Sequence, residues 1–137
     1  MEERQRLLDR IGDINDMSLP RPLVTLDEFF EGNDDPGSIG YNLPDPLSPQ
    51  EFRQALDTVE ARKDVDAVMI EVKDLEDPEG WPSTDTVWVI TTAEAESVPA
   101  WLPESLRPDD VIDGFPPSGI DPYELPPGFR AVGLFYD

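Results

Sequence analysis

The chain has neither histidine nor cysteine among its 137 residues. Without histidine it lacks the side chain that most often serves as a general base near neutral pH. Without cysteine it lacks thiolate nucleophiles, disulfides and the usual ligands of structural zinc. These absences point away from most enzyme classes. We therefore predict a protein that is not an enzyme and that uses no cofactor and no metal.

Positive charge is also scarce, because ten Lys and Arg residues face thirty-one Asp and Glu residues. The formal net charge of -21 repels nucleic acid and anionic membranes and attracts basic surfaces. We expect a basic protein as the partner, and neither nucleic acid nor a membrane. The same composition has a second explanation, since a salt-adapted or high-GC organism would show such a bias across its whole proteome.

Long hydrophobic runs are missing as well. No apolar stretch approaches the roughly 20 residues of a membrane-spanning helix, and the acidic start at residues 1–4 does not resemble a signal peptide. An absence of cysteine is typical of the reducing cytosol. We expect a cytoplasmic protein in which residues 1–137 form a single domain and residues 1–20 hold a loosely attached N-terminal helix. The sequence leaves the oligomeric state open.

Two capping boxes predict where helices begin. Thr25 is followed three residues later by Glu28, and Ser48 is followed by Glu51. The first box predicts a short helix over residues 26–31. The second predicts a longer helix that ends near residue 63, with apolar side chains at helical spacing along one face.

Three runs are predicted to be strands, namely residues 67–74, 85–92 and 129–136. The first alternates apolar and polar residues, and the other two are rich in β-branched and aromatic residues. Together with the helices, they predict an α+β fold. We expect an antiparallel sheet of three or four strands that is covered on one face by helices. The proline-rich acidic segment 107–128 is interpreted as a long loop.

Acidic loops that also carry aromatic residues are the candidate partner-binding sites. Attraction between opposite charges speeds association, and buried aromatic anchors then supply most of the affinity. The candidate residues lie in two loops: Asp34, Asp35 and Tyr41 in the first, and Asp74, Glu76, Asp77, Glu79 and Trp81 in the second. This interpretation treats Trp81 as an exposed anchor. The alternative is that such aromatic residues pack their loops onto the domain.

Carboxylates could also carry chemistry of their own. A glycosidase-type pair needs two acids at a fixed separation in a cleft, which tryptophans could line. The acidic loops are rich in the oxygen ligands of Ca²⁺ and Mg²⁺, but none has the spacing of the twelve-residue calcium loop. The alternative to protein binding is therefore a small carboxylate-based enzyme or a carbohydrate-binding domain.

The run LVTLDEFFEGNDDPGSIGYNL, which begins at Leu23, resembles the signature of an uncharacterised family of small acidic bacterial proteins. The run WPSTDTVWVIT from Trp81 and the pair Trp101-Leu102 follow the same pattern. The chain is also similar in size, charge and layout to immunity proteins that neutralise bacterial polymorphic toxins. That second likeness concerns architecture alone and carries no site residues. It implies a cytosolic acidic protein-binding domain, an immunity-type inhibitor that covers the basic surface of a toxin or nuclease.

Overall fold

A computed structural model describes residues 2–12, 16, 18–35, 38–39, 48–75 and 80–136. The helices are α1 (Glu2–Ile11), α2 (Leu26–Phe30) and α3 (Pro49–Glu60), followed by two 3-10 helices (Ala95–Trp101 and Glu104–Leu106). The strands are β1 (Leu23–Thr25), β2 (Val65–Glu71), β3 (Thr86–Thr91), β4 (Asp110–Asp113) and β5 (Arg130–Phe135). Within these segments, no helix has the length and apolar character needed to cross a bilayer.

The five strands form one antiparallel sheet in the order β1-β2-β3-β5-β4. The predicted α+β class is confirmed, and the three predicted strands are β2, β3 and β5. The sheet has more strands than the three or four expected, because β1 and β4 add an edge on each side. These edge strands have only three and four residues, which is too short for an alternating pattern to reveal them.

Both predicted capping boxes are confirmed. The hydroxyl of Thr25 accepts the N–H of Glu28 at 3.1 Å, and the carboxylate of Glu28 accepts the N–H of Thr25 at 2.8 Å. Ser48 and Glu51 make the same reciprocal pair at the start of α3. After α2, Gly32 adopts a φ of 73°, a conformation that favours glycine and redirects the chain.

The helices cover one face of the sheet and bury the main hydrophobic core against it. The largest fully buried side chains in this core come from all three helices and from the strands. They include Leu7, Phe29, Phe30, Phe52, Leu56, Ile70 and Leu134. Helical cover of one sheet face therefore agrees with the arrangement expected from sequence.

The opposite face is covered by residues 114–129, which we term the strap. Four strap side chains, Phe115, Ile120, Tyr123 and Phe129, pack against a second cluster that contains Trp88. The rings of Phe115 and Trp88 lie 4.7 Å apart between centroids. The predicted long loop, residues 107–128, is only partly correct, because Asp110–Asp113 form β4. The strap is a second covering layer, and three of its aromatic residues pack it onto the domain.

Gly133 of β5 lies directly beside Trp88 of β3. A β-carbon at position 133 would lie 3.0 Å from the Trp88 ring and 3.1 Å from the β-carbon of Ile112. Glycine is therefore required here by the close approach of an indole and not by its backbone conformation.

The Gly133→Ala variant should lower the free energy of unfolding by about 1–3 kcal/mol, because the added methyl group overpacks the second cluster. Urea denaturation measures this loss. In a Trp88→Leu background, the same change should cost less, since the ring is gone. An equal cost in both backgrounds would contradict the steric explanation.

Tyr136 joins the second 3-10 helix to the end of β5. Its hydroxyl donates to the carbonyl oxygen of Leu106 at 2.7 Å, and its ring meets Phe52 edge-on with 5.2 Å between centroids. Burial raises the pKa of Tyr136 well above its usual range, and the negative charge of Asp109 adds to the shift. The neutral phenol is therefore part of the packed structure.

Because the folded state holds the Tyr136 proton more tightly, its contribution to stability is complete below the unfolded pKa of about 10 and declines at higher pH. We expect the Tyr136→Phe variant to be about 0.5–1.5 kcal/mol less stable at pH 7, because it lacks the hydrogen bond to the Leu106 carbonyl. Its stability should then fall less steeply than that of the unchanged protein between pH ~10 and ~11. Urea titrations across this pH range test the difference, and identical slopes would refute it.

Candidate functional site

The structure brings the described parts of the two predicted acidic loops, residues 33–35 and 38–39 of the first and residues 74–75 of the second, together beside the start of β3. Residues 80–84 run between them. On one side, Ser83 forms an antiparallel bridge with Asp74, and on the other, Thr84 forms a parallel bridge with Ile39. The Asp35 carboxylate also accepts the backbone N–H of Trp81 at 3.2 Å. Segments more than 30 residues apart in sequence thus form one surface region.

Of the predicted partner-binding acids that the structure describes, Asp34 and Asp74 are exposed and Asp35 is half-buried. Tyr41, Glu76, Asp77 and Glu79 lie outside the described residues. Two exposed carboxylates, those of Asp34 and Asp74, therefore flank residues 80–84, one on each side.

The expectation that Trp81 is an exposed anchor is wrong. Trp81 is only 6% exposed and belongs to the main core. The physical reason is that its segment is hydrogen-bonded on both sides, which leaves the ring to pack inward. Among the described residues, its indole Nε1 has no hydrogen-bond partner. The tryptophan that meets solvent is Trp101, which is half-buried, whereas Trp88 is 1% exposed.

Most basic side chains are engaged within the protein. Seven of the ten form ion pairs with carboxylates in the part of the chain that the structure describes. Arg53 alone contacts Asp27 and Glu31 of the α2 region and Asp57 of α3. Exposed acids that make no ion pair within the described segments lie in several elements and include Asp9, Asp16, Asp34, Glu51, Asp66, Asp74, Glu96, Glu104, Asp110, Asp113 and Glu124.

Glu71 is the one charged residue that is buried in the described part of the chain. The Trp88 indole N–H donates to one carboxylate oxygen at 2.9 Å, and Arg21 and Lys73 lie 3.3 and 3.4 Å from the other. Lys73 also reaches Asp85 at 2.8 Å. Two acids therefore share one lysine. The cluster holds β2 to β3, and its acids are directed to shared cations, as are Asp27, Glu31 and Asp57 around Arg53.

The grooves between the described elements include three of notable size. The largest of these three, of about 490 Å³, lies between α1 and α2. Each of its four carboxylates has an arginine partner. A groove of about 230 Å³ beside the end of α1 also contains two arginines, Arg10 and Arg21. Neither Glu71 nor Asp85 lines any of the three.

The third groove, of about 340 Å³, lies between α3 and the two 3-10 helices. We term it the α3 groove. It is lined by Glu51, Gln54, Ala55, Thr58, Trp101, Pro103 and Leu106. It differs from the other two because its lining contains no basic residue. The sequence contained a signal for it, namely the small Ala55 on the apolar stripe of α3, but not the position of Trp101 opposite.

The described residues offer little to hold a metal ion or cofactor. Within them, no group of three or more metal-binding side chains is arranged around a common point. The paired acids of the α1–α2 groove are directed to arginines, and those of the Glu71 cluster to Lys73 and Arg21.

The Glu71→Ala variant should lose about 1–3 kcal/mol of stability, because it leaves the Trp88 N–H buried without an acceptor, while Lys73 keeps its ion pair with Asp85. Glu71→Gln should lose less, since the amide oxygen still accepts from Trp88. Thermal and urea denaturation measure both. Glu124→Ala, an exposed acid on the strap, is the matched control and should stay within about 0.5 kcal/mol of the unchanged protein. Similar losses in the two alanine variants would contradict the role of the cluster.

Comparison with known proteins identifies relatives across almost the whole chain. The family model described as "Uncharacterized protein YfbO family" matches residues 2–134. The "Uncharacterized protein YfbO" of Escherichia coli (strain K12) is 33% identical over 138 residues, which cover 100% of this chain and 98% of that protein. No solved structure gives a significant match. The resemblance to an uncharacterised bacterial family is confirmed, and the chain belongs to the YfbO family.

Proposed function

We propose that this protein is a cytoplasmic acidic protein-binding domain. Its partner is a basic protein, and it acts as an immunity-type inhibitor that covers the cationic surface of a toxin or nuclease. The proposal is supported chiefly by how the charges are distributed. Cations lie mainly in internal ion pairs, and unpaired carboxylates remain on the surface.

Ion pairs within the protein neutralise most of the basic side chains, and the unpaired acids then make the surface negative. Arg53 is only 18% exposed and neutralises acids of the α2 region and α3. Lys73 is 20% exposed and lies between Glu71 and Asp85. These two cations are shielded from a partner, whereas the other paired cations, whose side chains are 39% to 71% exposed, are neutralised by their carboxylate partners. The unpaired carboxylates therefore make the surface field negative. Such a field raises the association rate of an oppositely charged protein.

Hydrogen bonds also hold the backbone near Asp34 and Asp74. Ser38 accepts the N–H of Thr84 at 2.8 Å, and Asp74 and Ser83 exchange backbone hydrogen bonds. The backbone that carries Asp34 and Asp74 is thus held on both sides of residues 80–84. Carboxylates on an ordered backbone lose less conformational freedom on binding, which favours affinity as well as steering.

The competing explanation is that acidity reflects a salt-adapted proteome. The two explanations differ in whether the position of a charge matters. A functional surface requires particular carboxylates, whereas a general coat of charge depends only on their number. A pair of variants with equal net charge therefore separates them.

The test compares Asp34→Asn/Asp74→Asn with Asp113→Asn/Glu124→Gln. All four acids are exposed, and each double variant removes two negative charges. The partner is captured at low salt from cells that naturally make the protein, and it is then purified for stopped-flow measurements. We expect the loop variant to slow association several-fold, while the control pair changes the rate less than twofold.

The salt dependence of the same rate provides a second readout. Between 50 and 500 mM salt, the association rate constant should fall by about tenfold or more, because exposed charges are screened over a Debye length of ~8 Å at physiological ionic strength. A salt-independent rate would refute the proposal. Equal slowing by both double variants would show that only the total charge matters, which would also refute it.

A further inference from the structure

We propose that the α3 groove receives a basic segment of the partner protein, which inserts one large apolar side chain beside Trp101. This inference rests on the proposed function and names the place where the partner is captured. Charge draws the partner towards many parts of the surface, but affinity requires a site where apolar surface can be buried. Among these three grooves, this one combines a half-buried aromatic wall with an acidic rim.

The groove has the size for a side chain and not for a whole helix. On α3, its residues Glu51, Gln54, Ala55 and Thr58 follow the i, i+3, i+4, i+7 stripe of a helix face. Seven helical residues span about 10 Å. The volume of about 340 Å³ lies at the lower end of the range for ligand sites. Ala55 is the small residue that leaves space between α3 and the 3-10 helices.

The opposite wall is held in place before any partner arrives. The Arg62 guanidinium lies 3.8 Å from the centroid of the Trp101 ring. Arg62 is itself fixed by two hydrogen bonds to Asp64, at 3.0 and 3.2 Å. Pro99 stiffens the 3-10 helix that carries the ring. An aromatic side chain that is already ordered loses little entropy on binding.

The part of the same wall that Pro103 and Leu106 form is also fixed. Leu106 is 1% exposed, and its carbonyl oxygen accepts the Tyr136 hydroxyl. Pro103 and Leu106 belong to the turn that this bond ties to β5. The wall opposite α3 is therefore preformed, since both parts of it are anchored by contacts outside the groove.

Charge selects the occupant. Glu51 lines the groove, and the exposed Glu104 follows Pro103 in the wall. The lining of the groove contains no basic residue, and Arg62, which lies on the Trp101 ring, is paired with Asp64. A segment with Lys or Arg on both sides of an apolar residue is therefore complementary to the groove. A second copy of this chain would bring another net charge of -21, which disfavours self-association. Nucleic acid is repelled by the same field.

The probe is an arginine-rich peptide of about ten residues with one central Phe, used with the full-length protein. The matched peptide carries Ala in place of Phe. Because Trp81 and Trp88 are 6% and 1% exposed, acrylamide quenching of the folded protein reports mainly on Trp101. We expect the Phe peptide to protect Trp101 from quenching. The Ala peptide should bind about tenfold more weakly, as expected when an anchor is truncated.

Variants locate the site independently of the fluorescence. Glu51→Gln/Glu104→Gln should raise the dissociation constant about three- to tenfold, and glutamine at position 51 can still complete the capping box of α3. The equally charged control Asp113→Asn/Glu124→Gln should change it less than twofold. The anisotropy of a labelled peptide measures these constants for every variant.

Ala55→Arg places a long cation in the groove and should weaken peptide binding at least tenfold. Arginine favours helix, and circular dichroism with urea denaturation checks that the variant folds. Ala55→Ser is the matched small substitution and should bind as the unchanged protein does. Normal peptide and partner binding by a folded Ala55→Arg variant would overturn the groove as the docking site.

The outcomes separate this inference from the proposed function. Unchanged Trp101 quenching up to about 1 mM peptide, which corresponds to very weak binding, overturns the inference. If the natural partner still binds with salt-dependent and position-dependent rates, the proposed function stands and the site lies elsewhere. If those rates do not depend on the salt concentration, the proposed function is wrong. Trp101 protection by the peptide, lost in Ala55→Arg, would support the groove.

Discussion

Every residue of β3 is buried, and this constraint governs the rest of the fold. A strand with no exposed side chain needs a cover on each face of its sheet. The helices supply one cover through residues such as Phe52 and Leu56, and the strap supplies the other over Trp88. β2 and β5 satisfy the hydrogen bonds of β3 on its two sides. Helices, strap and neighbouring strands thus meet the requirements of a single central strand.

The ten basic side chains act mostly at places where elements meet. Arg10 bonds to the carbonyl of Leu23 and pairs with Glu28, which joins α1 to β1 and α2. Arg53 joins α2 to α3, and Arg62 holds the first 3-10 helix through Trp101. Exposed ion pairs contribute little stability individually. Their larger effect here is to join elements. Because the cations pair with acids where elements meet, the remaining unpaired acids dominate the charge of the surface.

Local sequence signals predicted the elements well and the long-range contacts poorly. The capping boxes at Thr25 and Ser48 and the three long strands depend on neighbouring residues, so pattern alone could predict them. The burial of Trp81 depends on pairing between residues 80–84 and residues 38–39, which no local pattern records. For the same reason, the polar face of β2 was expected to meet solvent, although Glu71 lies buried beside Trp88. The α3 groove depends on Trp101 reaching α3 from a distant 3-10 helix.

The strap also has a consequence for the order in which the protein folds. The Asp121 carboxylate accepts the N–H of Leu23 across a separation of 98 residues, and Arg21 bridges Ile120. Closing so long a loop costs more conformational entropy than forming α3 or joining β2 to β3. We therefore expect the second face of the sheet to be completed late, when residues 21–23 meet residues 120–121. Until then, Trp88 would remain open to water and to other unfolded chains.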